Sequence, residues 1–195
     1  LTGPYPWKGL SLLDEHGFIA EYWPELSGMH GTSQSKEHHP EGDVWQHSLE
    51  TFRYRRSHDL VLTLGLLLHD VGKPQASPSG NRRFDQHAEI GAKLAGKLLR
   101  RLEFPEEIVD DVRWLVLKHM FPAALHLLPS FRTERLMSSP LFPVLLELYR
   151  CDLESTYRRP SAYYRACKIY RSYLKNSNNP FRTAEGKKLI RLYVE

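Results

Sequence analysis

The amino-acid sequence predicts an all-α protein, on three observations. Apolar residues recur at the three- and four-residue spacing that gathers them on one face of a helix. Alternating runs of β-branched residues, the mark of a half-buried strand, are missing. Residue types that cap helices stand ahead of several apolar stretches, and Gly or Pro closes them.

In chain order, Leu10, Leu12, Leu13, Phe18, Ile19 and Trp23 indicate two short helices separated by Gly17, and a polar loop rich in Gly, Ser and His then runs to Gly42. Asp43 and Gln46 form the Asp-x-x-Gln variant of a capping box and open a helix over 43–56, with His47 in its first turn. Asp59 caps the next helix. Its stretch Leu60 to Leu68 is apolar on nearly every face except at Thr63 and Gly65, which makes it the buried central helix, ended by Gly72-Lys73-Pro74. After a turn-rich loop at 74–83, a helix spans 85–103, where Ala88, Gly91, Ala92 and Ala95 offer a small-residue face for close packing. Pro105 fits the first position of a helix over 105–119, in which Ile108, Val109, Val112, Leu115 and Val116 repeat at helical spacing and which His119 closes. Further helices are predicted at 132–138, 141–157, 160–174 and 184–193, with a turn at Asn176, Asn178, Asn179 and Pro180 before the last.

The 195 residues suffice for one domain or a domain with an appendage. No apolar run approaches the ~20 residues of a membrane span, so a soluble protein is expected. Leu1 is followed by no basic and then apolar leader, which predicts a cytoplasmic location, and its place at the start suggests a trimmed or partial chain. Charge is unevenly spread. Residues 1–50 hold two Lys/Arg against eight Asp/Glu, whereas residues 150–195 hold eleven against four. The basic end reads equally as an attraction for phosphate or nucleic acid and as a solvated helix face.

Ten histidines stand beside only two cysteines, Cys151 and Cys167, too few for a disulfide framework or a cysteine-based zinc site. Any metal site must use imidazole and carboxylate. The sharpest feature is His69-Asp70 at the end of the apolar helix. Ionisable side chains leaving a buried helix are costly unless paired or bound to a cation. Asp152 poses the same problem, because it continues the apolar stripe of Leu145 and Leu148. His47, His87 and His119 supply further candidate ligands at separate helix positions, although periodicity alone does not single them out among ten histidines and many acids.

The order His47, His69-Asp70, Asp152 resembles the metal-binding pattern of the HD superfamily of phosphohydrolases, and His87 and His119 match the additional histidines of members that hold two metals. More narrowly, His39-Pro40-Glu41-Gly42-Asp43-Val44-Trp45-Gln46-His47, Leu68-His69-Asp70-Val71-Gly72-Lys73-Pro74 and Val116-Leu117-Lys118-His119-Met120 are similar to the HD region of bacterial tRNA nucleotidyltransferases and poly(A) polymerase-like proteins, over roughly residues 10–155. Nothing before residue 39 resembles the nucleotidyltransferase domain such relatives usually carry, so this chain alone is not expected to add nucleotides. Phe84-Asp85-Gln86-His87-Ala88-Glu89 departs from them too, lacking a glycine before the histidine and an acid directly after it.

The resemblance implies a multi-helix HD bundle with a metal site between its central helices: a helical segment over 1–38, the HD core over 39–157 and a basic helical extension over 158–195. It implies one or two divalent ions (Mn, Fe, Co, Ni, Zn or Mg) held by His47, His69, Asp70, His87, His119 and Asp152. Asp70 and Lys73 are the expected catalytic residues. Lys73, Arg82 and Arg83 could bind substrate phosphate, surface roles being the alternative for each. The implied activity is hydrolysis of phosphomonoester or phosphodiester bonds of nucleotides or RNA ends, including 2′,3′-cyclic phosphodiesterase or phosphatase activity. A nucleoside triphosphohydrolase differs mainly in substrate, and a non-catalytic HD module that positions RNA or a nucleotidyltransferase domain is the reading from another class.

The remaining histidines, His16, His30, His38, His39, His58 and His126, are expected to be unligated. The C-terminal third interleaves bases and rings: Tyr149-Arg150, Tyr157-Arg158-Arg159, Tyr163-Tyr164-Arg165, Tyr170-Arg171 and Tyr173. An RNA-contacting surface has this composition, and so does an amphipathic helix that turns its tyrosines inward and its arginines to water.

Overall fold

A computed structural model describes residues 1–33, 42–76, 84, 86–156, 160–176 and 183–195 of the chain. Among them are twelve α-helices and no strand: α1 Pro6–Glu15, α2 Phe18–Tyr22, α3 Pro24–Ser27, α4 Val44–Thr51, α5 Leu60–Leu68, α6 His87–Arg101, α7 Glu106–Lys118, α8 Phe121–Ala124, α9 Ser130–Met137, α10 Phe142–Glu154, α11 Ser161–Asn176 and α12 Ala184–Tyr193. The caps act as the sequence predicts. Asp43 accepts from the Gln46 backbone N–H at 2.9 Å, and Asp59 from that of Leu62 at 2.8 Å. Thr183, not singled out by the sequence, caps α12 through the Gly186 N–H.

Several boundaries differ from expectation. The N-terminal segment makes three short helices, because Pro24 opens a third after Trp23. The helix expected over 43–56 tightens into a 3-10 turn at Phe52–Tyr54. The helix expected from residue 85 starts at His87, since Gln86 takes a left-handed φ of 60°. Short α8 and a 3-10 turn at Leu125–Leu127 fill what sequence periodicity leaves blank.

Helix α5 lies at the centre, with Leu62 to Leu68 all buried, and packs against α4, α7 and α10. A side chain at Gly65 would come within 3.0 Å of both Leu115 and Leu148, so the missing Cβ lets α7 and α10 close on α5 from two sides. Gly72 is more constrained: a Cβ there would lie 2.0 Å from the His87 carbonyl oxygen and 2.5 Å from the Gly91 nitrogen. Both are backbone atoms that cannot move aside, and the turn after His69-Asp70 therefore seats directly on the first turn of α6. The small face of α6 meets α7, with Gly91, Ala92 and Ala95 buried.

In the C-terminal part the tyrosines pack inward as the second alternative expects, whereas Arg150 is buried rather than turned to water. Tyr149, Tyr163, Tyr170 and Tyr193 are buried in the core, which withdraws the idea of a platform of stacked tyrosines; of the rings described there only Tyr164 is substantially exposed. Arg165, Lys168 and Lys175 face outward on α11, and Tyr157, Arg158 and Arg159 lie outside the described residues. Tyr163 donates to the Tyr193 carbonyl at 2.9 Å, and Arg171 to that of Val194 at 2.9 Å, which ties α11 to the end of α12.

Candidate metal centre

Four histidines reach one buried point from four places. His47 comes from α4, His69 and His119 stand as the residues that cap the C-termini of α5 and α7, and His87 is the first residue of α6. The last carbonyls of a helix lack intrahelical donors, and a ring one turn on can supply one. His69 Nδ1 donates to the Leu66 carbonyl at 2.9 Å, and His119 Nδ1 to that of Val116 at 2.7 Å. His87 Nδ1 donates to the Phe84 carbonyl at 2.8 Å. Because a carbonyl only accepts, each bond fixes the proton on Nδ1 and leaves Nε2 as a lone pair facing the interior.

Those lone pairs face one another and two carboxylates. His69 Nε2 lies 3.3 Å from His47 Nε2, which is 3.1 Å from Asp152 Oδ1. His87 Nε2 lies 3.1 Å from His119 Nε2. Asp70 stands between the pairs. Its Oδ2 is 3.2 Å from His69 Nε2 and 3.8 Å from His47 Nε2, while its Oδ1 is 3.7 Å from both His87 Nε2 and His119 Nε2. Two compact groups result, His47 with His69 and Asp152, and Asp70 with His87 and His119, each able to hold a metal ion. Acceptors crowded against acceptors make the donor set of a cation site, and mixed nitrogen and oxygen ligands suit borderline divalent metals.

Charge supports the same view. Burial would raise the Asp70 carboxyl, but His69 and Lys73 hold it well below the usual carboxylate range. Asp152 is likewise held low against its burial, chiefly by His47 beside it. His119 is depressed to about 4, first by burial and then by His69 and His87, with Asp70 opposing. Its ring is neutral at pH 7, the form that binds metals. Lys73 Nζ lies 2.6 Å from Asp70 Oδ2 and 5.5 Å from the Phe84 ring centroid. The Asp152 side chain is 22% exposed where that of Asp70 is 3% exposed, so the centre opens to solvent on the Asp152 side.

All six sequence-predicted ligands thus meet, with Lys73 at their edge. Arg82 and Arg83 lie outside the described residues, as do His38 and His39. His16, His30, His58 and His126 are exposed, and His30 pairs with Asp14 at 3.1 Å. Sequence inspection missed Ser155, buried beside His47; its place three residues after Asp152, on the same side of α10, is the signal that could have found it.

Comparison with known proteins is consistent with this geometry. The sequence profile of the HD domain matches residues 44–150, more than half of the chain. The chain is 35% identical over 166 residues to the CC-adding tRNA nucleotidyltransferase of Thermus thermophilus, covering 80% of this chain and 37% of that protein. It is 34% identical over 172 residues to the A-adding tRNA nucleotidyltransferase of Deinococcus radiodurans, covering 83% and 38%. With the multifunctional CCA protein of Halorhodospira halophila the identity is 32% over 148 residues, covering 73% and 35%. The chain therefore spans a little over a third of the length of these relatives. Among the described residues no helix is long and apolar enough to cross a membrane.

Proposed function

The chain belongs to the HD domain family, and from that premise we propose that it is a metal-dependent phosphohydrolase acting on phosphomonoester or phosphodiester bonds of nucleotides or RNA ends, 2′,3′-cyclic phosphates among them. One observation carries the proposal: six ligand side chains, far apart in sequence, converge as two groups that share Asp70. A divalent ion held there supplies Lewis-acid activation of water and neutralises charge developing on a phosphoryl group.

The chain's own residues do the rest. His47, His69 and Asp152 would hold one ion and Asp70, His87 and His119 the other, with Asp70 standing between the two groups. Lys73 keeps Asp70 ionised and oriented, and its ammonium at the edge of the centre can meet a substrate phosphate oxygen. Arg82 and Arg83 remain candidates for a second phosphate contact. The apolar wall of α5 behind the ligands excludes bulk water and strengthens each of these electrostatic contacts. The names of the relatives, which add CC or A to tRNA, make an RNA end the favoured substrate and the exposed basic residues of α11 a candidate contact for it.

A second reading has its own support. Two relatives are named only for nucleotide addition, consistent with a non-catalytic HD module that positions RNA or a nucleotidyltransferase domain. Retention of the whole ligand set favours the enzyme. The test is bound-metal analysis together with hydrolysis of a panel of 2′,3′-cyclic nucleotides, phosphomonoesters and nucleoside triphosphates, beside Asp70→Ala. Metal-dependent turnover absent from the variant supports the hydrolase; a wild type that holds metal yet turns over no more than the variant leaves the positioning module.

A further inference from the structure

Three of the four histidines in the metal centre are oriented by backbone carbonyls, which no substitution removes. At His47 a side chain stands at Nδ1. The Ser155 hydroxyl lies 3.4 Å from His47 Nδ1, at the long end of hydrogen-bond range, and Ser155 is only 6% exposed. The same hydroxyl donates to the Asp152 carbonyl at 2.8 Å. With its hydrogen committed there, the oxygen can accept from His47 Nδ1, on the side of the ring opposite the Nε2 that faces Asp152 Oδ1 and His69 Nε2.

We propose that Ser155 is a positioning residue for one half of the metal centre: a single hydroxyl brackets His47 and Asp152, two ligands of the same group, and selectively tightens metal binding by His47, His69 and Asp152. The proposal rests on the reading that these residues hold metal. It extends that reading by making the two halves separable, because nothing in the contacts of Ser155 touches His87 or His119. Ser155 follows Asp152 by three residues, at the C-terminus of α10. Helical spacing therefore puts the hydroxyl one turn beyond the ligand on the same side of the helix, and Ser155 donates its backbone N–H to Cys151, which fixes it in place.

The test is calorimetric titration of the chelator-stripped chain with Co2+ in two backgrounds. His119→Ala leaves the His47 group, and His47→Ala leaves the other. Loss of an outer contact to a metal-ligating histidine weakens affinity about 10–100-fold. Ser155→Ala is expected to do so in the His119→Ala background, to change affinity less than about threefold in the His47→Ala background, and to be rescued by Ser155→Thr, which keeps the hydroxyl. Equal weakening in both backgrounds, no weakening in the first, or failure of Ser155→Thr to restore binding overturns the proposal. Melting of the metal-free variants checks folding; if Ser155→Ala does not fold, Ser155→Cys, which keeps the volume and loses the strong acceptor, is read in the same titration. A wild-type chain that takes up no Co2+ removes the metal reading itself, whereas a wild type that binds two ions and a Ser155→Ala chain that matches it removes only the role of Ser155.

Discussion

Helix α10 carries two buried polar clusters built on different logic. At its C-terminal end Asp152 faces His47 and His69, acceptor against acceptor. One turn earlier Glu147, fully buried, receives Arg150 through Nε at 2.8 Å and Nη2 at 2.7 Å, and the Arg56 backbone N–H at 2.9 Å. Arg150 also donates to the Tyr54 carbonyl, and Arg56 donates to the Leu192 carbonyl and pairs with Glu195. The second cluster closes on itself, charge against charge and donor against acceptor, and locks α10 to the segment after α4 and to the C-terminus. The first has a surplus of lone pairs, with Lys73 as the nearest compensating cation among the described residues. A buried polar cluster that satisfies itself is architecture; one that does not is a place for a ligand.

The largest effect that tests this contrast is expected at the closed cluster. Arg150→Met leaves Glu147 buried without its partner and should cost about 3–5 kcal/mol in denaturant unfolding. The stabilisation that added divalent metal brings should be unchanged in this variant, provided it folds. A coupling between Arg150 and metal would erase the distinction. Gly72→Ala should cost about 3 kcal/mol or more, since the new Cβ meets backbone atoms of α6; it should also weaken metal binding at His87, because the same contact sets that histidine opposite Asp70.

Metal itself comes next. At a concentration about one hundredfold above Kd a bound ion stabilises the fold by about 2.7 kcal/mol, read as a shift in denaturant midpoint that Asp70→Ala abolishes. Acid should act on the metal centre of the chelator-stripped chain in two stages. His119 has its folded pKa lowered to about 4 from 6.5, so the unfolded chain takes up the proton first. Its contribution is complete above pH 6.5, is lost as pH falls from there to about 4, and changes no further below. Asp70 and Asp152, held low in the fold, lose theirs only as pH falls through the ordinary carboxylate range and beneath it. Unfolding curves between pH 7 and 4.5 should show this slope in wild type and a flatter one in His119→Asn. The smallest effect is at Gln86, whose left-handed φ would suit glycine. Gln86→Gly should stabilise the chain by about 1 kcal/mol with metal binding unchanged.

Much of this was legible from residue order. The caps at Asp43 and Asp59, the apolar run of α5 and the small face of α6 are local signals, and local hydrogen bonding and burial decide them. The six candidate ligands were legible because their order resembles a known family, although nothing in their spacing shows how they divide. The tyrosines of the C-terminal third were ambiguous for a physical reason: a helix presents rings and arginines on opposite faces, and composition does not say which face meets the core. Glu147 and Arg150 gave no warning either, since an i,i+3 ion pair reads as surface until Tyr54 and Arg56 are brought against it.

By itself the sequence determined the longer helices, the caps at Asp43 and Asp59 and the chemical identity of the candidate donors, because each is set by residues within a turn or two of one another. Only the tertiary structure decided that Asp70 stands between two histidine pairs, that Ser155 lies against His47 in one of them, and that Gly72 must be bare for His87 to arrive. Those outcomes depend on approaches between α4, α5, α6, α7 and α10 of a few ångströms, across as many as 108 residues between His47 and Ser155, and such distances follow from packing a common core.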